Sequence, residues 1–199
     1  MSYGVIIFFA LFVATIFFVR TKYRAKRNTS IQTLENKFGL KRKWIESGRG
    51  HLELEGEIKG YQLKVIEAGK MRGSNKRSGG LILELNNPGF EFKFCITEQH
   101  FLGGLLPNYG ADINFHNEEL DKRFIISSTD EFKLRKLISS EIIELLIKNR
   151  GLFTNCSLQN DGKTLRFYLL TNKIMSMGLD RLNKQIAFMV NFCILANRK

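Results

Sequence analysis

The chain begins with an uninterrupted apolar stretch. Residues 3–19, YGVIIFFALFVATIFFV, contain no charged side chain. A helix of this length rises about 25 Å at about 1.5 Å per residue, which is the short end of the range for a membrane-crossing helix. Positive charge follows the stretch instead of preceding it, which is the reverse of the order in a cleaved signal peptide. The pattern therefore predicts a retained transmembrane helix over residues 3–19.

A basic neck, residues 20–29, follows the apolar stretch. It carries five cations and no acid: Arg20, Lys22, Arg24, Lys26 and Arg27. Because lysine and arginine collect on the cytoplasmic side of a membrane helix, this bias predicts that the rest of the chain is cytoplasmic. We expect a bacterial single-pass signal-anchor protein of the inner (plasma) membrane, with its N-terminus outside and the lipid bilayer as one partner.

Residues 30–99 change from a helical to an alternating pattern. Ser30 is a plausible N-cap for a short helix that Gly39 ends. From residue 51, apolar and polar residues alternate in HLELEGEIKGYQLKVIEAG, which predicts a hairpin whose turn lies between Gly56 and Gly60. LILELNN and FEFKFCI predict two more strands, separated by a turn at Pro88-Gly89. Short strands with tight connections favour an antiparallel sheet.

The remaining residues add helices to this sheet. FIIS at 124–127 predicts a strand, and Ser128 with Glu131 predicts a capping box for a helix that carries Phe132, Leu134 and Leu137. A serine at 139 or 140 is expected to cap a second helix. A hairpin then turns at 160–162, and a last helix covers 179–196. The predicted fold is α+β: one transmembrane helix, then a cytoplasmic domain over 30–199 with an antiparallel sheet packed by two or three helices.

Residues 118–197 resemble a bacterial membrane-anchored protein family of unknown function. The likeness rests on LDKRFIISSTDEFKLRKLISSEIIELLIKNRG and SLQNDGKTLRFYLL. The positions that carry it form a strand, a turn and a helix junction: Asp121, Lys122, Phe124, Ser127, Asp130, Leu137, Ile138 and Ser139. The resemblance implies membrane anchoring and an α+β domain, and it carries over no catalytic residue.

Charge indicates which partners to expect. The formal net charge is +12, and the neck supplies only five of the cations. A second basic cluster lies in the loop GKMRGSNKRSGG, at Lys70, Arg72, Lys76 and Arg77. This loop is either a solvated turn or a contact for an anionic lipid or acidic protein. Nucleic acid is disfavoured because the loop lacks the aromatic residues on which bases stack.

The chain contains no recognisable catalytic or metal-binding motif. Its histidines are His51, His100 and His116, and none has other ligands at metal-site spacing. Three cysteines in apolar stretches favour buried free thiols. We therefore expect no cofactor and no metal, and favour an interaction or scaffold protein that binds a protein partner or itself. Two alternatives stay open: an anionic-lipid-binding domain, or an enzyme with His100, Asp112 and His116 under the 98–116 loop.

Overall fold

A computed structural model describes residues 3–44, 52–68, 80–99, 109–169 and 178–198. Its centre is one eight-stranded sheet in which every neighbouring pair is antiparallel. The strand order is β1-β2-β3-β4-β8-β7-β5-β6. The strands are β1 Lys41–Trp44, β2 Leu52–Ile58, β3 Tyr61–Ala68, β4 Gly80–Asn86, β5 Lys93–Glu98, β6 Phe124–Ser128, β7 Cys156–Asp161 and β8 Thr164–Leu169.

Within the described ranges, five α-helices accompany the sheet, and a short 3-10 turn spans Arg150–Leu152. The helices are α1 Tyr3–Phe38, α2 Glu118–Asp121, α3 Glu131–Leu137, α4 Ser140–Lys148 and α5 Leu179–Ala196. At about 1.5 Å per residue, α1 is about 54 Å long. The predicted last helix is confirmed at both of its ends.

The first four strands form a meander in chain order. The turn between β2 and β3 consists of Lys59 and Gly60, both at positive φ (49° and 84°), which is the two-residue geometry that suits the twist of a hairpin. Gly56 lies inside β2, opposite Leu63. The hairpin is therefore confirmed, but its turn is tighter than the glycine spacing suggested.

The second half of the sheet is not built in chain order. β4 pairs with β8, and β5 lies between β6 and β7. The segment at Pro88-Gly89 therefore joins two strands that are separated in space by β7 and β8. The turn at 160–162 does make a hairpin, with Gly162 at a φ of 96° between β7 and β8.

The core lies between one face of the sheet and the helices. Apolar side chains of β2, β3, β4, β7 and β8 alternate towards this face, and α5 packs over β4 and β8. At its centre the Phe153 ring lies 5.1 Å from the Phe124 ring, 5.2 Å from that of Phe167 and 5.4 Å from that of Phe188. Tilted and edge-on aromatic contacts of this kind add to the free energy of burial.

Two local predictions about α3 and α4 have different outcomes. Ser139 accepts a hydrogen bond from the Ile142 amide, so the predicted cap of α4 is confirmed. The cap of α3 is Asp130 instead of Ser128, because Asp130 accepts from the Lys133 amide while the Ser128 hydroxyl bonds within the turn. Phe132 on α3 is 68% exposed.

The predicted membrane topology is corrected by the structure. Among the described residues, no helix combines the length and the apolar character that crossing a membrane requires. The apolar residues 3–19 give about 25 Å of helix against a hydrocarbon core of about 30 Å, and α1 then continues through the cations of the neck. The transmembrane helix, the single-pass signal-anchor topology and the inner-membrane localisation with a cytoplasmic domain were therefore wrong. The structure is an α+β fold in which α1 packs on an eight-stranded sheet.

Truncation of Phe153 should test the importance of the aromatic cluster. We expect Phe153→Ala to lower the free energy of unfolding by about 3–5 kcal/mol, because it removes a fully buried ring and leaves a cavity. Phe132→Ala is the matched control, since it removes the same ring from an exposed position and should change stability by about 0.5 kcal/mol or less. Urea denaturation of both variants measures the difference, and equal losses would contradict this packing.

Candidate interaction surfaces

The first surface is the apolar segment of α1, residues 8–19. Its described large side chains are all exposed, with Phe8 at 73% and Phe17 at 69%. They point to all sides of the helix: Phe8, Phe9, Leu11, Phe12, Val13, Ile16, Phe17, Phe18 and Val19. Contiguous apolar surface of this extent on a folded chain marks a site of contact with another surface.

The basic neck continues the same helix and surrounds one end of the apolar segment with cations. Arg20, Lys22, Arg24 and Lys26 are exposed, and the Lys22 ammonium lies 4.7 Å from the centre of the Phe18 ring. Arg27 is different, because it forms an ion pair with Glu67 on β3. Four of the five predicted neck cations are thus available to an anionic group, while Arg27 attaches the helix to the sheet.

The last third of α1 holds the helix on the domain. Ile31 and Leu34 are buried against the core face, and Ser30, predicted as a cap, lies inside the continuous helix. Arg42 of β1 donates to both carboxylate oxygens of Glu35, at 2.6 and 3.0 Å. Ion pairs and apolar packing therefore fix one end of α1, and the exposed apolar segment extends from that fixed end.

The face of the sheet opposite the core, here called the charged face, carries a row of alternating charges. Each residue of the row lies directly opposite the next on the neighbouring strand, in the order Lys41, Glu55, Lys64, Glu84 and Arg166. Lys64 Nζ is 2.6 Å from Glu55 Oε1, and Arg166 Nε is 2.6 Å from Glu84 Oε1. Opposite charges at directly paired positions stabilise neighbouring strands.

The centre of this row shifts the ionisation of its members. Lys64 also contacts Glu53, at 3.2 Å. The hydrogen bond from Lys64 lowers the pKa of Glu55 from 4.5 to about 2, and a contact with Glu53 contributes to the same shift. In return, the hydrogen bond to Glu55 raises the pKa of Lys64. Both groups therefore stay charged around neutral pH, which maintains the row.

The two edges of the sheet differ. At the β6 edge, the Ile113 amide donates to the Ile126 carbonyl, and the Ile126 amide donates to Asp112 Oδ1. The segment beside β6 thus occupies backbone groups of that strand. At the other edge, β1 pairs with β2, and no described residue pairs with its outer side.

Of the residues considered for catalysis that are described, Asp112 has a structural partner and His116 is exposed. Asp112 accepts the Ile126 amide, and Asp121 accepts the amides of Phe115 and Asn117. His116 is exposed at a φ of 56°, and its amide donates to the Asn114 side chain. Asp112 therefore fixes backbone geometry, and among the described residues no group of three or more His, Cys, Asp or Glu side chains is placed to hold a metal ion.

The cysteines are free and buried. Burial raises the pKa of Cys95 and of Cys193 to about 12. Burial also raises the pKa of Cys156, against the opposing effect of Arg181. The three thiols are therefore protonated near neutral pH, which makes them weak nucleophiles.

Several sequence predictions fall outside the described residues. These are the basic loop cluster Lys70, Arg72, Lys76 and Arg77, and the candidates His51 and His100. The proposed loop contact therefore stays a prediction. The row of charges was not found from the sequence, although the alternation from residue 51 indicated that apolar and polar positions take turns along these strands. The pairing of these charges depends on the order of the strands in the sheet, and the alternation of apolar and polar residues does not give that order.

Comparison with known proteins adds a likeness of fold. No family model and no curated protein matches the chain, and the resemblance of residues 118–197 to a membrane-anchored family stays a prediction. Among solved structures, the chain is similar to the crystal structure of the mycobacterial trehalose monomycolate transport factor A, TtfA. The TM-score is 0.60 at 9% sequence identity, over 87% of this chain and 93% of that chain. The chain thus shares its fold with a protein described as a transport factor.

The depressed pKa of Glu55 predicts a specific loss of stability in acid. Because the folded state holds this carboxyl deprotonated, its contribution is complete above pH 4.5 and is lost as the pH falls towards about 2. We expect Glu55→Gln to be less stable at neutral pH and to lose less stability over this interval. Urea denaturation at a series of pH values measures this, with Glu144→Gln on the exposed side of α4 as the control. Parallel pH profiles for all three proteins would contradict the role of Glu55.

Proposed function

We propose that this chain is a non-enzymatic interaction or scaffold protein of a transport-associated assembly. The observation that carries the proposal is the exposed apolar segment of α1, which is fixed to the domain at one end of the helix. An apolar surface in water is covered whenever a complementary surface is available, because each Å² removed from water contributes about 25 cal/mol. A segment displayed in this way is suited to binding.

The chemistry of the segment specifies its partner. Phenylalanine, leucine, isoleucine and valine side chains require an apolar surface, such as a hydrophobic groove or helix of another protein. The exposed neck cations Arg20, Lys22, Arg24 and Lys26 lie next to it along the same helix. The partner surface therefore combines an apolar centre with acidic groups at one end, an arrangement that aids both affinity and orientation.

The polar groups of the domain support a binding role over a catalytic one. Acid–base catalysis requires a carboxyl or imidazole that is free to exchange a proton with a substrate. The carboxylates of the charged face instead pair with cations, as in Glu55 with Lys64 and Glu84 with Arg166. Asp112 holds the backbone beside β6. These groups stabilise the fold.

The likeness of fold supports the link to transport. The similar structure is titled a transport factor for trehalose monomycolate. At 9% identity the substrate of that protein is not carried over to this chain. What the comparison supports is the broader class of a transport-associated protein.

Photo-crosslinking from α1 tests the proposal. A benzophenone analogue of phenylalanine replaces Phe12, Phe17 or, as the control, Phe132 on α3 in the full chain expressed in cells. All three positions are phenylalanines that are more than half exposed, at 55%, 69% and 68%. We expect discrete protein adducts of one mass from the α1 positions and none of that mass from position 132.

Three outcomes would contradict the proposal. Identical adducts from all three positions would show that α1 is no more than an accessible surface. Lipid adducts alone would show that a bilayer covers the segment instead of a protein. The absence of any adduct, with light-dependent consumption of the analogue, would show that water surrounds it.

A further inference from the structure

The outer edge of β1 has the features of a site for strand addition. β1 is an outermost strand of the sheet, and its backbone groups on the outer side have no partner among the described residues. At the opposite edge, the amide and carbonyl of Ile126 on β6 are both bonded by the 112–113 segment. Among the described residues, the β6 edge is therefore bonded and the outer edge of β1 is not.

The charges of β1 specify what that strand should contain. On the charged face, the row alternates in sign from Arg166 on β8 to Lys41 on β1 without interruption. Lys43 lies on the same face, 3.6 Å from Glu55, with its side chain 61% exposed. A further strand that continued the alternation would place acidic residues opposite Lys41 and Lys43, which are two positions apart.

The opposite side of β1 is already fixed. Arg42 points to the core face, where the Glu35 carboxylate of α1 holds it. Gly39 lies at a φ of 64° and turns the chain from α1 towards β1. The strand is thus held by α1 on one face and by β2 at its inner edge, so little backbone order remains to be gained when a partner binds.

A recess on the charged face adjoins β1 on its inner side. It has a volume of about 510 Å³, and Gly39, Lys41, Lys43, Glu55, Glu57 and Gln62 are among the residues that line it. Its acidic groups already have partners, because Glu55 lies 2.6 Å from Lys64 and 3.6 Å from Lys43, and Glu57 accepts from the Gln62 amide at 3.5 Å. Lys41 and Lys43 form the cationic margin of the recess next to the outer edge of β1.

We infer that β1 receives an extended acidic segment of a partner protein as a ninth antiparallel or parallel strand. The backbone of the segment bonds to the outer edge of β1, and acidic residues at alternate positions pair with Lys41 and Lys43. Lysine on an edge strand also discourages indiscriminate pairing. The same charges then select an acidic segment over a neutral one, since specificity combines attraction with repulsion.

This inference rests on the proposed function, because it specifies a second contact of the same interaction protein. It uses a different surface from α1, so the two are tested separately. If the peptide described below does not bind while the α1 adducts persist, the strand inference fails alone. If the peptide binds and α1 gives no adducts, the proposed role of α1 fails alone.

The probe is a labelled, capped synthetic peptide in which glutamate alternates with valine, titrated with the full chain and read by fluorescence anisotropy. We expect saturable binding that weakens at least about tenfold in the double variant Lys41→Glu, Lys43→Glu, because two attractive cross-strand pairs become repulsive. Lys41→Gln, Lys43→Gln should lie between this variant and the original chain. Unfolding curves confirm that each variant folds.

The control variant Lys133→Glu, Lys184→Glu makes the same change of net charge at lysines that are 60% and 63% exposed on α3 and α5. It should keep the original affinity. Equal weakening by the control would show a general charge effect and overturn the inference.

Backbone pairing is tested with methylated peptides. Methyl groups on alternate backbone nitrogens remove donors from one side of an extended peptide only. We expect one of the two methylated sets to lose binding at least about tenfold and the other to keep it, because a strand pairs with β1 through one side. Equal binding of both sets, or equal binding of a peptide with lysine in place of glutamate, would overturn strand addition.

Discussion

The pairing of β4 with β8 joins strands that are about half the chain apart, and the rest of the fold depends on it. On the core side Leu83 lies opposite Phe167, and on the charged face Glu84 lies opposite Arg166. The pairing connects the meander of β1 to β4 with the strands of the second half. It also places β8 so that α5, which follows it in sequence, packs over both β8 and β4. Without it the sheet would divide into two parts with no shared core.

This arrangement explains why the two faces of the sheet carry different kinds of side chain. The core face is buried by α5, α4 and the last third of α1, and most of its residues are apolar. Ion pairs between neighbouring strands stabilise the charged face. Its row of alternating charges crosses the sheet from β8 and ends at β1. The rest of α1 takes no part in either face, and its exposed apolar segment is therefore a surface for binding in the interaction role proposed for the chain.

The pattern of apolar and polar residues predicted most of the individual strands and helices. Alternation gave β2, β3, β4, β6 and the β7–β8 hairpin, and the apolar stripe of α5 gave its bounds, because both depend on burial of one side of an element. The cap of α3 was misassigned because Ser128 and Asp130 are both good caps, and only the turn geometry decides between them.

The larger errors came from features that depend on distant residues. Strand order requires knowing that β4 meets β8, a contact that leaves no trace in either segment. The helix predicted to begin at Ser30 is the end of α1, where Arg27 pairs with the distant Glu67 on β3. Reading residues 3–19 as a transmembrane helix relied on the apolar stretch, its length and the cations that follow it. The row of charges, which underlies the candidate site at β1, likewise appears only when strands are placed side by side.

The central claim is that the apolar segment of α1 is covered in the functioning protein. Hydroxyl-radical footprinting in cells measures this directly, with Phe132 as an internal reference because its exposure of 68% in the chain alone equals that of Phe17 at 69%. The account predicts that Phe12 and Phe17 are oxidised several times more slowly than Phe132 in cells, and at a similar rate in the purified chain. Equal oxidation of all three in cells would show that the segment is in contact with water and would contradict the account.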